Sequence, residues 1–310
     1  MFFNIAINMN ELTNSPLVSC TVLSYNSANT IIETLESIKA QTYKNIELIV
    51  SDDCSTDNTI AIIEAWLEQN RNRFVRTELL TVKKNTGVCL NSNRALDACK
   101  GEWKKGIGAD DILLPNCIAD FIAFVQQHPE AQWISSYMQV YKNNFNPKNC
   151  IAHKSVARRA FFDLTAEQQL KQISTWNLIS ATPLFYKMST LKAIGGFETR
   201  YSFEDYPTFM NLLENGIKCD FMDIETVGYR IHDSISNSSK RIFNYKFVLE
   251  SKKFHEERCF KYLSWWQIRG QYAIWGLQCL FEKTGLNKDK PALKKIYNFL
   301  NSSIKKTFNN

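Results

Sequence analysis

The stretch "IELIVSDDCSTDNTIAIIEAWLEQN", residues 46–70, decides the fold class. It begins with a β-branched, apolar run that ends in Asp52 and Asp53, which predicts a buried strand. Ser, Thr, Asp and Asn then precede a second apolar pattern with helical spacing, and these residue types cap helix N-termini. A strand, a short polar turn and a helix in this order are typical of an α/β sheet.

The same unit recurs before and after this stretch. Three further strands are predicted in alternation with three further helices, the strands at 16–26, 77–85 and 102–108 and the helices at 30–41, 87–101 and 116–129. Short connections between alternating strands and helices predict a mainly parallel sheet with helices on both faces.

Ligands of such sheets bind beyond the carboxyl ends of the strands. The residues at the four predicted ends are mostly acids and amides: Tyr25 and Asn26, Asp52 and Asp53, Asn85 and Gly87, Asp110 and Asp111. Neither a GxGxxG after the first strand nor a GxxxxGK[ST] anywhere is found, which disfavours a dinucleotide or P-loop phosphate cradle. A phosphate bound at this edge therefore needs another counter-charge.

The second half of the chain has a less regular pattern. Strands are predicted at 132–143 and 219–232, and helices at 165–174 and 204–216. Residues 181–197 are predicted to form a strand followed by a short helix. From about Phe243 onward the pattern is helical.

Length and composition narrow the class of protein. The 310 residues, 45% apolar and 22% charged, suit one large or two smaller globular domains. We expect neither a membrane-spanning helix nor a secretory signal, because no apolar run is long enough and the N-terminus has no basic segment. Nine cysteines without a CxxC pair predict reduced thiols in a cytosolic protein and no zinc site.

The positive charge is concentrated at the C-terminus. Residues 240–310 contain 15 Lys and Arg against 5 Asp and Glu, whereas residues 1–239 contain 22 against 26. A basic tail rich in Trp and Tyr is compatible with a peripheral element on a lipid headgroup surface, so membrane contact through 243–310 is one reading of it. We expect no nucleic-acid partner. The alternative is a set of helices that pack on the rest of the chain or on a second copy, as in a homodimer.

Six blocks, in order, resemble family 2 glycosyltransferases of the GT-A fold: "VSCTVLSYN", "QTYKNIELIVSDDCSTDNT", "NTGVCLNSNRAL", "GADDILLP", "GGFETRYSFEDYPTFMNLL" and "YRIHDSIS". The resemblance implies a Rossmann-like, mainly parallel sheet flanked by helices. It implies an N-terminal extension at 1–15, a catalytic domain at 16–238 and a C-terminal helical region at 239–310. Within the domain, 16–115 would form the nucleotide-sugar half and 116–238 the acceptor half.

By this resemblance, Asp110 is a direct ligand of Mn²⁺ or Mg²⁺, with His232 as a second ligand. The family motif Asp-x-Asp is incomplete here, because its first position falls on Gly108 when counted back from Pro115. Asp111 is then the residue expected to supply the missing acceptor for the donor. From the residues alone, the acidic pair could instead cap the following helix or lie in solvent.

The resemblance also assigns the donor nucleotide. Asp53 would accept a hydrogen bond from the base, Tyr25 and Asn26 would lie against base and ribose, and Asn85 would complete the site. The family usually has Arg seven residues after this Asn. Here that position is Ser92, so an arginine contact is expected to be absent and the base stays open.

Asp205 is the expected general base of an inverting transfer, by resemblance to the acid that precedes this helix in the family. A carboxylate suits the role, because the acceptor proton is lost late in the reaction. The local alternative is a helix N-cap, since Pro207 follows in the first turn. Glu204 is expected to be a positioning neighbour, and Trp176 falls where the family builds its acceptor site.

The expected activity is the transfer of a sugar from a nucleoside diphosphate, with UDP preferred, to a glycan or lipid-linked oligosaccharide. We expect this in bacterial cell-surface polysaccharide or lipopolysaccharide synthesis, in the cytoplasm or on the inner face of the cytoplasmic membrane. One alternative is a degenerate relative that binds nucleotide or glycan without turnover. A nucleotidyltransferase is disfavoured, because "SYNSANT" lacks the Gly-rich basic loop that such enzymes carry after the first strand.

Overall fold

A computed structural model of the chain describes residues 15–155, 157–231 and 240–308. The strands are β1 (Val18–Ser24), β2 (Ile46–Asp52), β3 (Arg76–Leu80), β4 (Trp103–Gly108), β5 (Ile112–Leu113), β6 (Trp133–Lys142), β7 (Cys150–Lys154), β8 (Phe185–Lys187) and β9 (Asp220–Ile231). The helices are α1 (Ile31–Lys39), α2 (Thr59–Asn70), α3 (Val88–Ala98), α4 (Cys117–Gln127), α5 (Arg159–Phe162), α6 (Ala166–Thr175), α7 (Met188–Ala193), α8 (Asp205–Glu214), α9 (Tyr245–Phe254), α10 (Trp265–Lys283) and α11 (Pro291–Phe308).

The first four strands form the parallel part of the sheet, in the order β3-β2-β1-β4. β1 and β2 are buried almost throughout, as expected for parallel strands with helices on both faces. β3 is shorter than predicted, because it ends at Leu80 and the following residues up to Thr86 form a loop that reaches the edge of the sheet.

Beyond β4 the sheet is mixed, which corrects the expectation of a mainly parallel sheet. β8 pairs antiparallel with β4 and β6, β9 runs parallel to β6, and β5 and β7 pair antiparallel with β9 and β6. Hairpin and edge pairings of this kind leave no regular strand–helix alternation in the sequence. The α/β fold with a C-terminal helical region is otherwise as predicted.

Two hydrophobic clusters cover the two faces of the sheet. One joins β1, β2 and β4 to α1, α2 and α4, with Leu35, Ile63 and Phe121 fully buried. The other joins α3, α6 and α8 to the opposite face, where the Phe209 ring stacks on Trp133 at 5.4 Å between centroids. A chain of this length can bury a core of this size without disulfides, and all nine cysteines are free.

The C-terminal helical region packs on the α/β part of the chain. Phe254 and Cys259 are fully buried in the second cluster. Arg258 forms ion pairs with Glu198 and Glu214 at 2.8 and 2.7 Å, and so connects this region to the segment before α8 and to the last residue of that helix. Of the alternatives for the tail, packing on the rest of the chain is therefore observed. No helix in the described ranges is long and apolar enough to span a membrane.

Candidate active site

Hydrogen bonds fix the carboxyl ends of β1 and β2 to each other. Asp52 accepts from the Ser24 hydroxyl at 2.8 Å and from the Ser55 amide at 2.7 Å. Asn26, which adopts a positive φ of 51°, accepts at Oδ1 from the Thr56 amide at 2.8 Å. Asn26 therefore connects the loops after β1 and β2, while the neighbouring Tyr25 is 50% exposed.

Asp53 fixes the loop that precedes α3. Its carboxylate accepts from the Thr86 and Gly87 amides at 2.9 and 2.7 Å and from the Thr86 hydroxyl at 2.5 Å. Asn85 returns a side-chain hydrogen bond to the Asp53 carbonyl at 3.2 Å. Gly87 has a φ of +86°, a conformation that side chains rarely adopt, so this bend before the helix requires glycine. The structure thus brings the predicted donor residues Asp53 and Asn85 together.

Arg94 of α3 contacts the same loop, and the sequence did not predict this contact. Its guanidinium donates to the Thr86 hydroxyl at 2.8 Å and pairs with Asp53 at 3.4 Å. The family's arginine is expected at position 92, which is Ser92 in this chain. The Ser92 hydroxyl is buried and has no partner within the described chain. Helical spacing could have predicted this position, because Arg94 lies one turn after Asn91 on the same face of α3. Arg94 donates to the Asn91 side chain at 2.8 Å.

Asp110 and Asp111 lie in the turn between β4 and β5, in different environments. The Asp111 carboxyl is buried and accepts from the Arg230 amide at 2.8 Å, and its pKa is raised well above the ordinary value by burial and by neighbouring Asp110. Asp110 is partly exposed, and a Cβ on Gly108 would stand 2.6 Å from its Oδ1. The Asp110 carboxylate therefore occupies the space beside residue 108, where the family motif has its first acid.

Arg230 clamps this turn from β9. Its guanidinium donates to the carbonyls of Asp110 and Asn143, both at 2.9 Å, and pairs with Glu33 of α1. It also lies 4.4 Å from the centroid of the Phe145 ring. These contacts indicate that Arg230 fixes the turn and pairs with an acid. His232, the second expected metal ligand, lies outside the described residues.

Gly108→Ala tests this account of Asp110. The backbone at 108 tolerates alanine, but the added Cβ would displace the Asp110 carboxylate. We expect Mn²⁺-dependent binding of UDP or GDP, measured by calorimetry, to weaken by about tenfold, as is typical when a metal ligand is misoriented. Gly276→Ala on α10 is the matched control, since its Cβ would meet nothing within 4 Å. Unchanged nucleotide binding in Gly108→Ala would contradict the account.

Asp205 is the first residue of α8, and Glu204 occupies the N-cap position without a side-chain capping bond. The Asn177 side chain donates to the Asp205 carboxylate at 3.3 Å. Burial raises the pKa of Asp205, and burial together with the Asp205 charge raises the pKa of Glu204 to about 7. Lys104 of β4, itself buried, opposes the Glu204 shift. A carboxylate poised in this way suits proton transfer near neutral pH.

Glu204 and Asp205 lie close to the loop before α3 that Asp53 fixes. The Cys89 thiol, in the first turn of α3, lies 3.1 Å from the Tyr201 carbonyl in the segment that leads to α8. Trp176 and Asp205 line one cavity of about 310 Å³. Lys305 of α11 places its ammonium 3.8 Å from the centroid of the Trp176 ring, so the end of the chain also reaches this region. The expected acceptor residues Trp176 and Glu204 are thus grouped with Asp205.

Oxygen ligands for a divalent cation are few in this structure. No group of three or more His, Cys, Asp or Glu able to hold a metal occurs among residues 15–155, 157–231 and 240–308. The partly exposed Asp110 carboxylate nevertheless fits Mn²⁺ or Mg²⁺, because these ions commonly take one or two protein carboxylates and complete their shell with waters and substrate phosphates.

Comparison with known proteins gives a consistent picture. Residues 19–191 match the model of glycosyl transferase family 2. The chain is 29% identical over 268 residues to the Escherichia coli UDP-Glc:alpha-D-GlcNAc-diphosphoundecaprenol beta-1,3-glucosyltransferase WfaP, covering 84% of this chain and 94% of WfaP. It is 24% identical over 298 residues to an uncharacterized glycosyltransferase of Haemophilus influenzae, covering 92% of this chain and 85% of that protein.

Solved structures share the fold. The crystal structure of S. aureus TarS 1-349 in complex with UDP-GlcNAc matches with a TM-score of 0.60 and 19% identity, over 94% of this chain and 81% of that one. The Pyrobaculum calidifontis mannosyltransferase PcManGT in complex with GDP-Man and Mn²⁺ matches at 0.54 and 18%, over 94% and 70%. Against a longer TarS structure the match covers 69% of this chain and only 37% of that one. Because the family model matches more than half of its residues, the chain belongs to glycosyl transferase family 2 and is a glycosyltransferase.

Proposed function

We propose that this enzyme transfers a sugar, with inversion, from a nucleoside diphosphate to a hydroxyl of a glycan or lipid-linked acceptor. The observation that carries the proposal is the position of Asp205. This carboxylate, with its raised pKa, lines the cavity that also contains Trp176, beside the loop that Asp53 fixes. One group able to take a proton therefore lies between the expected donor and acceptor residues.

The proposed step balances without a further reactant. The acceptor oxygen bonds to the anomeric carbon while the bond from that carbon to the phosphate oxygen breaks. Asp205 takes the hydroxyl proton, and the nucleoside diphosphate leaves with the electron pair. Attack opposite the leaving group inverts the anomeric centre. Asn177 donates to the Asp205 carboxylate and holds it in place during this proton transfer.

Asp110 would hold the divalent cation, with His232 as a further candidate ligand. The cation would neutralise the charge that develops on the leaving pyrophosphate. Arg230 fixes the Asp110 backbone through its carbonyl, and Asp111 fixes the Arg230 amide in return. In this arrangement Asp111 positions the turn, rather than contacting the donor.

The names of relatives support a nucleotide-sugar donor and a lipid-linked acceptor, but they do not identify the nucleotide. WfaP is named for a UDP-sugar donor and a diphosphoundecaprenol-linked acceptor, and PcManGT was solved with GDP-Man and Mn²⁺. We favour a UDP-sugar and a lipid-linked acceptor of cell-surface polysaccharide synthesis. Trp265 and Phe299 of the C-terminal helices are 64% and 72% exposed, which supports contact of 243–310 with the inner face of the membrane that would carry such an acceptor.

A thermal-shift panel of UDP, GDP, ADP and CDP, each with and without Mn²⁺, tests the proposal. We expect one nucleotide at saturating concentration to raise the melting temperature by about 5 °C, and only with Mn²⁺, because a ligand that binds only the folded state stabilises it. The corresponding nucleotide sugars would then be assayed for transfer. No shift with any nucleotide would contradict the proposal, and a shift without turnover on any acceptor would favour the degenerate relative.

The pair Glu204–Asp205 predicts a specific pH dependence of transfer. Activity requires ionised Asp205, and burial raises the pKa of this carboxyl, so kcat/KM should rise with pH along an acidic limb that lies above the ordinary range for an aspartate. Glu204→Gln removes the repelling charge and should shift this acidic limb to lower pH. Lys104→Met removes the opposing positive charge and should shift it to higher pH. Shifts in the same direction for both variants would contradict this assignment.

The same pair predicts a stability effect that does not depend on turnover. The folded-state pKa of Glu204 lies above its ordinary value of 4.5, so the folded protein binds more protons between pH 4.5 and about 7. The free energy of unfolding should therefore fall as pH rises through this window. Glu204→Gln should flatten that decline in urea titrations at pH 5 and pH 8. A decline as steep as in the wild type would show that Glu204 is not its source.

A further inference from the structure

The cavity beside Asp205 has two walls of different origin. The catalytic domain contributes Trp176, Asn177 and Asp205, and the C-terminal helices contribute His255, Gln271 and Trp275. Its volume of about 310 Å³ is at the lower end of the range for small-ligand pockets. Most of the cavity lining therefore comes from the C-terminal region, which lies beyond the six family blocks and beyond the family match at 19–191.

His255 carries an unused hydrogen-bond acceptor in this wall. Its side chain is 5% exposed, and its Nδ1 lies 2.7 Å from the Ser251 carbonyl, which can only accept. Nδ1 therefore carries the hydrogen, and in the neutral ring Nε2 is left with a lone pair. Burial lowers the pKa of His255 and so favours this neutral form. Nε2 is buried and has no hydrogen-bond partner within the described chain, which is rare in folded proteins.

The local backbone gives His255 its position. Residues His255–Cys259 form a π-helical turn directly after α9. Such turns are uncommon and often mark functional sites. The His255 ring packs edge-on against Tyr206, the neighbour of Asp205, and against Trp275, at 5.6 and 5.8 Å between centroids. The unused acceptor is thus fixed close to the proposed base.

The lining chemistry suits a sugar ring. Trp275 and the ring of Trp176, one face of which the Lys305 ammonium covers, offer flat apolar surfaces to C–H groups. The Asn177 and Gln271 amides are each bonded within the chain but keep further donor and acceptor capacity for hydroxyls. We propose that the C-terminal helices build the binding subsite for the acceptor sugar, and that His255 Nε2 accepts a hydrogen bond from one of its hydroxyls. The inference rests on the proposed function and adds to it a role for the C-terminal region in acceptor specificity.

His255→Phe is the discriminating variant. Phenylalanine keeps a ring and its packing but removes both the unused acceptor and the Nδ1–H bond to the Ser251 carbonyl, so the melting temperature should stay within about 3 °C of the wild type. Binding would be measured by saturation-transfer NMR with the methyl glycosides of GlcNAc, GalNAc, glucose, galactose and mannose. We expect at least one to bind the wild type and to bind His255→Phe about tenfold more weakly, the loss typical of one hydrogen bond. His255→Gln, which keeps a polar atom near the Nε2 position, should recover part of the affinity.

His128→Phe, at an exposed histidine on the far end of α4, is the matched control and should leave glycoside binding unchanged. UDP and GDP binding with Mn²⁺ separates the two levels of the proposal. Two results, each with normal nucleotide binding, would overturn the subsite alone. One is that no glycoside binds the wild type, and the other is that both His255 variants bind glycosides as the wild type does. Absent nucleotide binding in the wild type would instead count against the proposed function.

Discussion

Asp205→Asn is expected to reduce kcat for sugar transfer by about 10²- to 10⁴-fold, the range typical for loss of a general base. Asparagine has the same shape and can still contact Asn177, so loop and helix should stay in place. It cannot take the acceptor proton at any pH. The measurement is the rate of nucleoside diphosphate release with a saturating nucleotide sugar and acceptor, over pH 5 to 9.

Donor binding is the control for this variant. Because Asp205 lies beyond the loop that Asp53 fixes, Mn²⁺-dependent nucleotide affinity should stay within about twofold of the wild type, a change of only a few tenths of a kcal/mol. Asp97→Asn, on α3, is a matched substitution that should change neither quantity. Equal losses of donor affinity and turnover in Asp205→Asn would mean that the carboxylate only supports the fold of the site. NMR of the wild-type product tests inversion separately, since a retained anomeric configuration would exclude this role.

The parallel half of the molecule was predictable because each strand and helix there carries its own local pattern. The buried runs of β1 and β2 and the capping residues before α2 are contiguous in sequence. In the mixed half the main strands and helices were predicted but their pairing was not, because β9 pairs with β6 through a register that shifts twice and with β5 across more than a hundred residues. Such pairings depend on contacts that no local period encodes.

The site residues divide in the same way. Asp53, Asp110 and Asp205 stand at element ends, where a sequence pattern locates them. The groups that contact these acids do not follow from a local pattern, because they come from distant parts of the chain. Asp53 accepts from the Thr86 and Gly87 amides, and Asp111 accepts from the Arg230 amide. The pKa of Glu204 depends on Lys104 of β4. His255 lies on a separate helix far along the chain, and its unused Nε2 is visible only once the surrounding rings are packed.

Asp110→Asn and Asp111→Asn should separate the roles of two adjacent carboxylates that lie in different environments. Asp110→Asn removes the charge that would hold the cation, so we expect Mn²⁺-dependent transfer to fall by about 10²- to 10³-fold, in line with the several kcal/mol that a metal contributes. Nucleotide affinity should become nearly independent of Mn²⁺, as measured by calorimetry with and without the ion.

Asp111→Asn should behave differently, because its carboxyl is buried against the Arg230 amide and resists ionisation. An asparagine oxygen can accept the same bond, so we expect Mn²⁺ dependence to persist and transfer to fall less than about tenfold. The raised pKa of Asp111 also destabilises the folded protein as pH rises above the ordinary carboxyl range, and Asp111→Asn should remove that part of the decline. If instead Asp111→Asn abolishes Mn²⁺-dependent binding while Asp110→Asn retains it, Asp111 replaces the acid that Gly108 lacks, and the turn must rearrange when the donor binds.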